Sequence, residues 1–171
     1  MKAFLAVAVL LFSFSACKKD VDALPSETGT GANTFGAKVN GKLWVPQDFG
    51  IVPTTPILEA HYTPGRSIEI NARNFASSPN ESEFRIQLKN VTKPGTYLLN
   101  NTSGNSAYYV ERKLTPTGEW KTNNQYGGKV VVTVTDTVNR IVAGTFEFQA
   151  ASLYNDAPIN VMEGRFDIKM E

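Results

Sequence analysis

The sequence predicts an all-β protein, an antiparallel β-sandwich or flattened barrel of about ten short strands. Apolar and polar residues alternate with a period of two through most of the chain after residue 33. Turn-forming Asn, Gly and Pro residues recur roughly every ten residues. No segment of that region carries apolar residues at helical spacing. A calycin-like closed barrel around a small apolar ligand is the alternative architecture, because it has the same strand pattern.

The first predicted element is a hairpin around Asn40-Gly41. Apolar runs flank this dipeptide, and both central residues of a type I′ turn need a positive φ. A two-residue loop sets the register and pairs Ala37 with Trp44. The indole then lies beside a small neighbour, which suits a packed core.

The next strands have apolar residues on one face and charged or amide residues on the other. They are predicted over residues 57–62, 67–73, 84–88, 96–99 and 107–114. Proline and glycine turns separate most of them. One wet face per strand is typical of an antiparallel sheet with its other face in the core.

The last three strands are predicted over residues 129–135, 142–150 and 162–170. The first is β-branched almost throughout, which indicates a central strand. Gly144 and Gly164 each precede an inward phenylalanine by two residues. This repetition predicts a close approach of the sheets or an aromatic ring over a missing side chain.

The amino terminus has the features of an export signal. Lys2 precedes about a dozen largely apolar residues, too few to cross a bilayer, which takes about 20. The tetrapeptide Phe14-Ser15-Ala16-Cys17 resembles the lipobox of bacterial lipoproteins. That resemblance implies a diacylglycerol on the Cys17 sulfur and cleavage before this residue. The competing interpretation is an ordinary signal peptide followed by a chance cysteine, but Cys17 is the only cysteine of the chain and has no disulfide partner.

These features predict three regions. Residues 1–16 are a lipoprotein signal peptide, residues 17–32 are the lipidated cysteine and a flexible tether, and residues 33–171 are a single β domain. The chain has 17 basic and 16 acidic residues, and Lys2 is the only charged residue of the leader, so the mature side chains carry no net charge. Because there is no net positive charge to attract the phosphate backbone, nucleic acid is not expected as a partner. The membrane is expected to be contacted through N-terminal acyl chains.

A wider resemblance rests on the segments 33–46 (NTFGAKVNGKLWVP), 142–150 (VAGTFEFQA) and 161–168 (VMEGRFDI). Together they resemble a family of small exported lipoproteins of Bacteroidota that carries a domain of unknown function. The resemblance implies a lipid-anchored protein of the outer membrane or cell surface. It supplies no catalytic residues.

A search for chemistry gives no catalytic constellation. His61 is the only histidine, and an acylated Cys17 is unavailable for catalysis, so neither a His/Cys metal cluster nor a Cys-His pair is expected. The sequence therefore predicts no metal, no cofactor and no enzyme. A hydrolase, or an inhibitor of one, is a lower-ranked alternative.

Candidate ligand-binding residues lie in a region where aromatics and amides mix. They are Tyr108, Trp120, Tyr126 and Asn124. Aromatic faces stack on sugars and amides bond to hydroxyls, which favours a glycan or an envelope protein as partner. The competing interpretation is core and edge aromatics beside Asn-rich turns.

One further site is predicted in a hairpin tip. Asp136-Thr137-Val138 resembles the acceptor for O-glycosylation in exported Bacteroidota proteins, with Thr137 as the modified residue; a plain turn is the alternative. Taken together, the sequence predicts a lipid-anchored binding or structural module of the cell envelope.

Overall fold

The computed structural model describes residues 22–48, 55–63, 66–77, 79–112, 118–155 and 157–171. The predicted signal peptide and Cys17 lie outside these residues. The described residues form eleven β-strands and no helix, which confirms the all-β prediction. A helix of the length and apolarity that crossing a bilayer requires is therefore not found among them.

All strand pairs are antiparallel, and the strands belong to one open sheet. The strands are β1 (Thr34–Val39), β2 (Lys42–Trp44), β3 (Leu58–Thr63), β4 (Ser67–Ser77), β5 (Asn80–Leu88), β6 (Gly95–Leu99), β7 (Ser106–Arg112), β8 (Gly118–Lys121), β9 (Gly128–Asp136), β10 (Ile141–Ser152) and β11 (Ile159–Lys169). Their order is β2-β1-β11-β10-β8-β7-β5-β4-β3, and β9 pairs with both β10 and β6.

Strand β10 joins two halves of this sheet. Its first ten residues pair with β9 and β11, whereas Ala151 and Ser152 pair with β8. We call β1, β2, β6, β9, β10 and β11 the first half-sheet, and β3, β4, β5, β7 and β8 the second half-sheet. Phe84 of β5 lies 5.6 Å from Phe35 of β1 and 6.2 Å from Phe146 of β10, between ring centroids. The two halves therefore share one core, as in a sandwich or flattened barrel, and the strand path stays open at β2 and β3.

The predicted first hairpin is confirmed. Asn40 and Gly41 have φ values of 48° and 80°, and Ala37 pairs with Trp44. The indole of Trp44 is buried, and its Nε1 donates a 2.7 Å hydrogen bond to the hydroxyl of Ser82 in the other half-sheet. The turn chemistry thus fixes the register that puts this indole in the core.

One part of the glycine prediction is confirmed, because an aromatic ring lies over Gly164, whereas Gly144 meets the neighbouring strand β9 of its own half-sheet and not the facing sheet. Gly164 lies opposite Phe146, and a Cβ on Gly164 would overlap the phenylalanine ring, so the ring stacks over bare backbone. At Gly144 a Cβ would overlap the backbone carbonyl of Val131, next to a register shift between β9 and β10. Neither position has room for a side chain.

The segment before β1 differs from the predicted tether. Residues 23–32, which we call the strap, cross the outer face of the first half-sheet. Arg165 donates a 3.1 Å hydrogen bond from Nη1 to the carbonyl of Pro25. Pro25 sits over Gly36, where a Cβ would lie 2.7 Å from the proline ring. The polar composition of the segment is compatible with docking, because its hydrogen bonds go to the sheet instead of to water.

Asp167 holds the middle of the strap. The strand pattern places this residue on the solvated face, but the strap covers it and leaves it only 1% exposed. Its carboxylate accepts hydrogen bonds from the hydroxyl of Thr28 at 2.6 Å, the backbone N–H of Thr30 at 2.9 Å and that of Gly31 at 2.7 Å. Burial by itself raises the pKa of Asp167, but these hydrogen bonds outweigh it and hold the pKa below its usual value.

Candidate functional site

A groove of about 630 Å³ opens where the strap, the start of β1 and the chain on either side of residues 49–54 come together. Its lining is mainly apolar: Ala23, Pro25, Phe35, Val45, Pro46, Pro56, Ile57 and Leu58. This volume lies within the range of roughly 300 to 1,000 Å³ that is usual for small-molecule sites. Phe35 belongs to the core cluster, so one side of the groove is formed by the packed core.

Polar residues also line the groove, and we call this polar part of the lining its rim. They are Asn33, Asp48, Lys169 and Glu171, together with Thr34. Asn33 has a φ of 55° and accepts a 2.9 Å hydrogen bond from the backbone N–H of Lys169. An apolar lining with a few fixed polar groups is the usual composition of a ligand pocket.

The chain end forms one side of this rim. The backbone N–H of Glu171 donates a 2.9 Å hydrogen bond to the carbonyl of Ala60 in β3. This bond brings the end of the first half-sheet to the edge of the second. Glu59 and His61 flank Ala60 on β3 and point to its opposite face, because alternate residues of a strand share a face. Ligand atoms of Glu59, His61 and Glu171 therefore all lie within 4.8 Å of one another.

The Glu59 carboxylate is oriented by two neighbours. Its Oε2 lies 3.4 Å from Nε2 of His61, and its Oε1 lies 2.7 Å from Nη2 of Arg73. Arg73 is itself fixed, because its Nη1 donates a 2.8 Å hydrogen bond to the carbonyl of Pro56. This arrangement leaves one Glu59 oxygen facing the imidazole.

The neighbouring outer face of the second half-sheet carries an ion-pair network. Glu83 is the buried member, and it lies 2.9 Å from Nη2 of Arg112 and 3.4 Å from Nη2 of Arg85. Burial raises the pKa of Glu69, but hydrogen bonds from Gln87 and Asn71 and the nearby charges of Arg85 and His61 outweigh burial and hold the pKa below its usual value.

The structure places two predicted ligand residues on opposite faces of the second half-sheet. Tyr108 pairs with Lys121 and lines a shallow outer groove, whereas Trp120 pairs with Tyr109 and packs against the core. The Trp120 Nε1 donates a 2.9 Å hydrogen bond to the carbonyl of Ala157. Burial and the Glu119 carboxylate raise the pKa of Tyr108. The contacts of Trp120 with the core and with the Ala157 carbonyl therefore support the fold.

The other two lie in the loop between β8 and β9. The side-chain oxygen of Asn124 accepts 3.3 Å hydrogen bonds from the backbone N–H and the hydroxyl of Thr102. The backbone N–H of Tyr126 donates a 2.7 Å bond to Asn123. The four predicted residues therefore belong to two faces and a loop and are not gathered in the groove described above.

Thr137 lies in the exposed turn between β9 and β10. The Asp136 carboxylate accepts 2.9 Å hydrogen bonds from the backbone N–H groups of Val138 and Asn139, and Val138 is 88% exposed. Hydrogen bonds from Asn139 and Val138 hold the pKa of Asp136 below its usual value. This geometry suits an accessible acceptor and a plain turn equally.

Sequence reasoning missed the grouping of Glu59, His61 and Glu171. The expectation of no metal considered a His/Cys cluster and did not consider carboxylate ligands. The Glu-x-His spacing on a strand is a local signal for two ligands on one face. The third residue comes from the other end of the chain, and only the sheet topology brings it near.

Comparison with known proteins gives one family and no further relative. No curated protein and no solved structure matches the chain significantly. A family model described as Domain of unknown function (DUF6252) matches residues 32–167, which is most of the chain. The match begins at the end of the strap and ends in β11, so it covers nearly all of the β domain but not Ala23, Pro25, Lys169 and Glu171 of the groove lining. The chain therefore belongs to the DUF6252 family.

Proposed function

We propose that this protein is a lipid-anchored binding module of the cell envelope, and that it holds a small ligand with an apolar body in the groove beside the strap. The groove is the observation that carries the binding role. It combines a volume of about 630 Å³ with a lining of apolar side chains and a polar rim. Burying apolar surface there gains roughly 25 cal/mol per Å².

The lipid anchor is supported by the sequence of the leader. A basic start, a short apolar run and a sole cysteine after Ser15-Ala16 match what lipoprotein processing requires. The product would be a membrane-held protein at the outer membrane or cell surface. Its acyl chains, and not its neutral surface, would bind the bilayer.

The anchor is tested with Cys17→Ser expressed in a native-type host. We expect wild-type protein to partition into detergent and to show an N-terminal mass increase equal to a diacylglyceryl group and a further acyl chain. The Ser variant should lose this added mass. An unmodified wild-type N-terminus would reject the anchor while leaving the binding role standing.

The binding role is tested with a series of n-alkanols added to the full chain in lipid nanodiscs. Trp44 precedes Val45 of the groove lining and lies 5.7 Å from Phe35, so the Trp44 part of the emission from the two tryptophans reports occupancy. Each added methylene should tighten binding about fourfold until the groove is full, since a buried CH₂ is worth about 0.8 kcal/mol.

Two leucine variants separate groove binding from partition into the lipid. Leu58→Arg places a charge in the lining and should abolish the signal. Leu98→Arg makes the same change at a residue that is 54% exposed and lies outside the groove lining, so it should bind like wild type. An equal response in all three proteins would contradict a ligand site in the groove.

A further inference from the structure

We propose that Glu59, His61 and Glu171 form a binding site for a single Zn²⁺ ion at the rim of the groove. The site does not depend on the proposed apolar ligand, because Glu59 and His61 lie outside the groove lining and only Glu171 belongs to both. Its three ligand atoms already lie within 4.8 Å of one another without any ion. Two carboxylates and an imidazole form a mixed oxygen and nitrogen donor set that zinc accepts.

The distance between the two strand ligands fits this ion. Zinc bonds to imidazole nitrogen and carboxylate oxygen measure about 2.0 to 2.2 Å, so two ligands of a tetrahedral site lie about 3.4 Å apart. The His61 Nε2 and the Glu59 Oε2 are separated by 3.4 Å. Calcium and magnesium prefer ligand sets made of oxygen alone, so the imidazole nitrogen of His61 favours zinc over these two ions.

A supporting contact holds the first ligand in place. Arg73 binds Oε1 of Glu59 at 2.7 Å and leaves Oε2 for the ion, so Glu59 would be monodentate. Hydrogen bonds from outer groups to ligating carboxylates are a regular part of metal sites. The Arg73 charge opposes the ion, but the carboxylates of Glu59 and Glu171 lie at the site, and Glu69, which also pairs with Arg85 at 3.7 Å, lies opposite His61 in the strand register.

The third ligand is delivered by the fold. The hydrogen bond from the Glu171 N–H to the Ala60 carbonyl keeps the last residue beside β3. Its side chain is exposed and can turn toward the ion. Because Glu171 also lines the groove, an ion held here would sit at the groove rim, with one coordination position open to water or to a ligand.

The single histidine makes the test direct. The full chain, without a polyhistidine tag and in lipid nanodiscs, gives one imidazole signal in ¹H–¹⁵N NMR spectra. One equivalent of ZnCl₂ at pH 7.5 should shift the Nε2 resonance, and calorimetry should show one ion per chain. An unmoved imidazole signal in the wild type overturns the proposal whether or not any variant folds.

Substitutions then assign the ligands. His61→Ala and Glu59→Gln should each weaken Zn²⁺ binding by at least about tenfold. Glu163→Gln removes a carboxylate that is half-exposed on β11 and paired with Lys38, and it should leave the affinity unchanged. Binding of equal strength and stoichiometry in His61→Ala would show that zinc binds elsewhere and would overturn the site.

Discussion

Two carboxylates of this protein point away from the core and are nevertheless buried, but by different partners. Asp167, in the first half-sheet, is 1% exposed and lies under the strap. Glu83, in the second half-sheet, is 7% exposed and lies under the side chains of Arg85 and Arg112. One is covered by backbone and the other by charged side chains.

This difference separates two ways of stabilising an outward carboxylate. The strap presents backbone N–H groups whose positions are set by the chain, so the bonds to Asp167 cost little side-chain entropy. The guanidinium groups of Arg85 and Arg112 beside Glu83 belong to long, half-exposed side chains, which lose rotamer freedom when they pair and are screened by salt. A third guanidinium, that of Arg73, lies 4.0 Å from Glu83 and belongs to a side chain that is 17% exposed. We therefore expect the Asp167 contacts to contribute more stability and to respond less to salt.

The largest effect is expected for Asp167→Asn. The amide keeps the shape but loses the charge, and one of its groups becomes a donor facing the donors of Thr30 and Gly31. Hydrogen bonds to a charged acceptor contribute about 1.5 to 3 kcal/mol, so the free energy of unfolding should fall by about 3 kcal/mol. Urea unfolding measures this. Asp136→Asn, in the exposed turn, is the control, and an equal loss there would contradict a special role for the strap.

Acid should remove the same contribution without a mutation. The folded-state pKa of Asp167 lies below the usual value of 3.8, so its stabilisation is complete above that pH and is lost as the pH falls through the folded pKa. The difference in unfolding free energy between wild type and Asp167→Asn should therefore shrink as the pH falls below the usual aspartate pKa of 3.8 and should be gone once the pH is below the folded-state pKa. A difference that stays constant over this range would show that the charge of Asp167 is not what holds the strap.

A smaller effect is expected for Glu83→Gln. The change removes the carboxylate that lies 2.9 Å from Arg112 and 3.4 Å from Arg85. Because both guanidinium groups remain half-solvated, the free energy of unfolding should fall by about 1 kcal/mol. Repeating the measurement in 1 M NaCl should shrink this loss, whereas the loss for Asp167→Asn should persist. If salt reduced the two losses of unfolding free energy equally, the proposed difference between Asp167 and Glu83 would be wrong.

The smallest effect is expected for Glu163→Gln, which breaks an ion pair with Lys38 on the exposed surface. The atoms are 2.7 Å apart, but both side chains are more than a third exposed. Exposed pairs contribute about 0 to 1 kcal/mol, so we expect a change below about 0.5 kcal/mol in urea unfolding. A loss as large as that of Glu83→Gln would mean that burial does not determine how much these two sets of ion pairs contribute to stability.

Local signals predicted much of the fold. The Asn40-Gly41 turn set the Ala37–Trp44 pair, and the glycine before Phe166 marked the place where the ring of Phe146 needs room. Both follow from backbone geometry within a few residues. The alternation of apolar and polar residues likewise located the core faces of most strands.

Long-range contacts could not be predicted in this way. Strand alternation shows which face Asp167 occupies but does not show that the strap covers that face. The bond from Glu171 to Ala60 joins residues from distant parts of the chain, and no local pattern encodes it. The groove and the Glu59–His61–Glu171 group both depend on such contacts, so the candidate site was found only in three dimensions.

The docked strap has a consequence for how close the domain would stand to a bilayer. A free linker over residues 18–32 could extend about 50 Å from an acylated Cys17, but with residues 23–32 fixed on the sheet only 18–22 remain, and these span at most about 17 Å. Ala23, which directly follows this short linker, also lines the groove. With the anchor in place, the opening of the groove would therefore lie close to the lipid headgroups, where it could take up molecules that leave the bilayer.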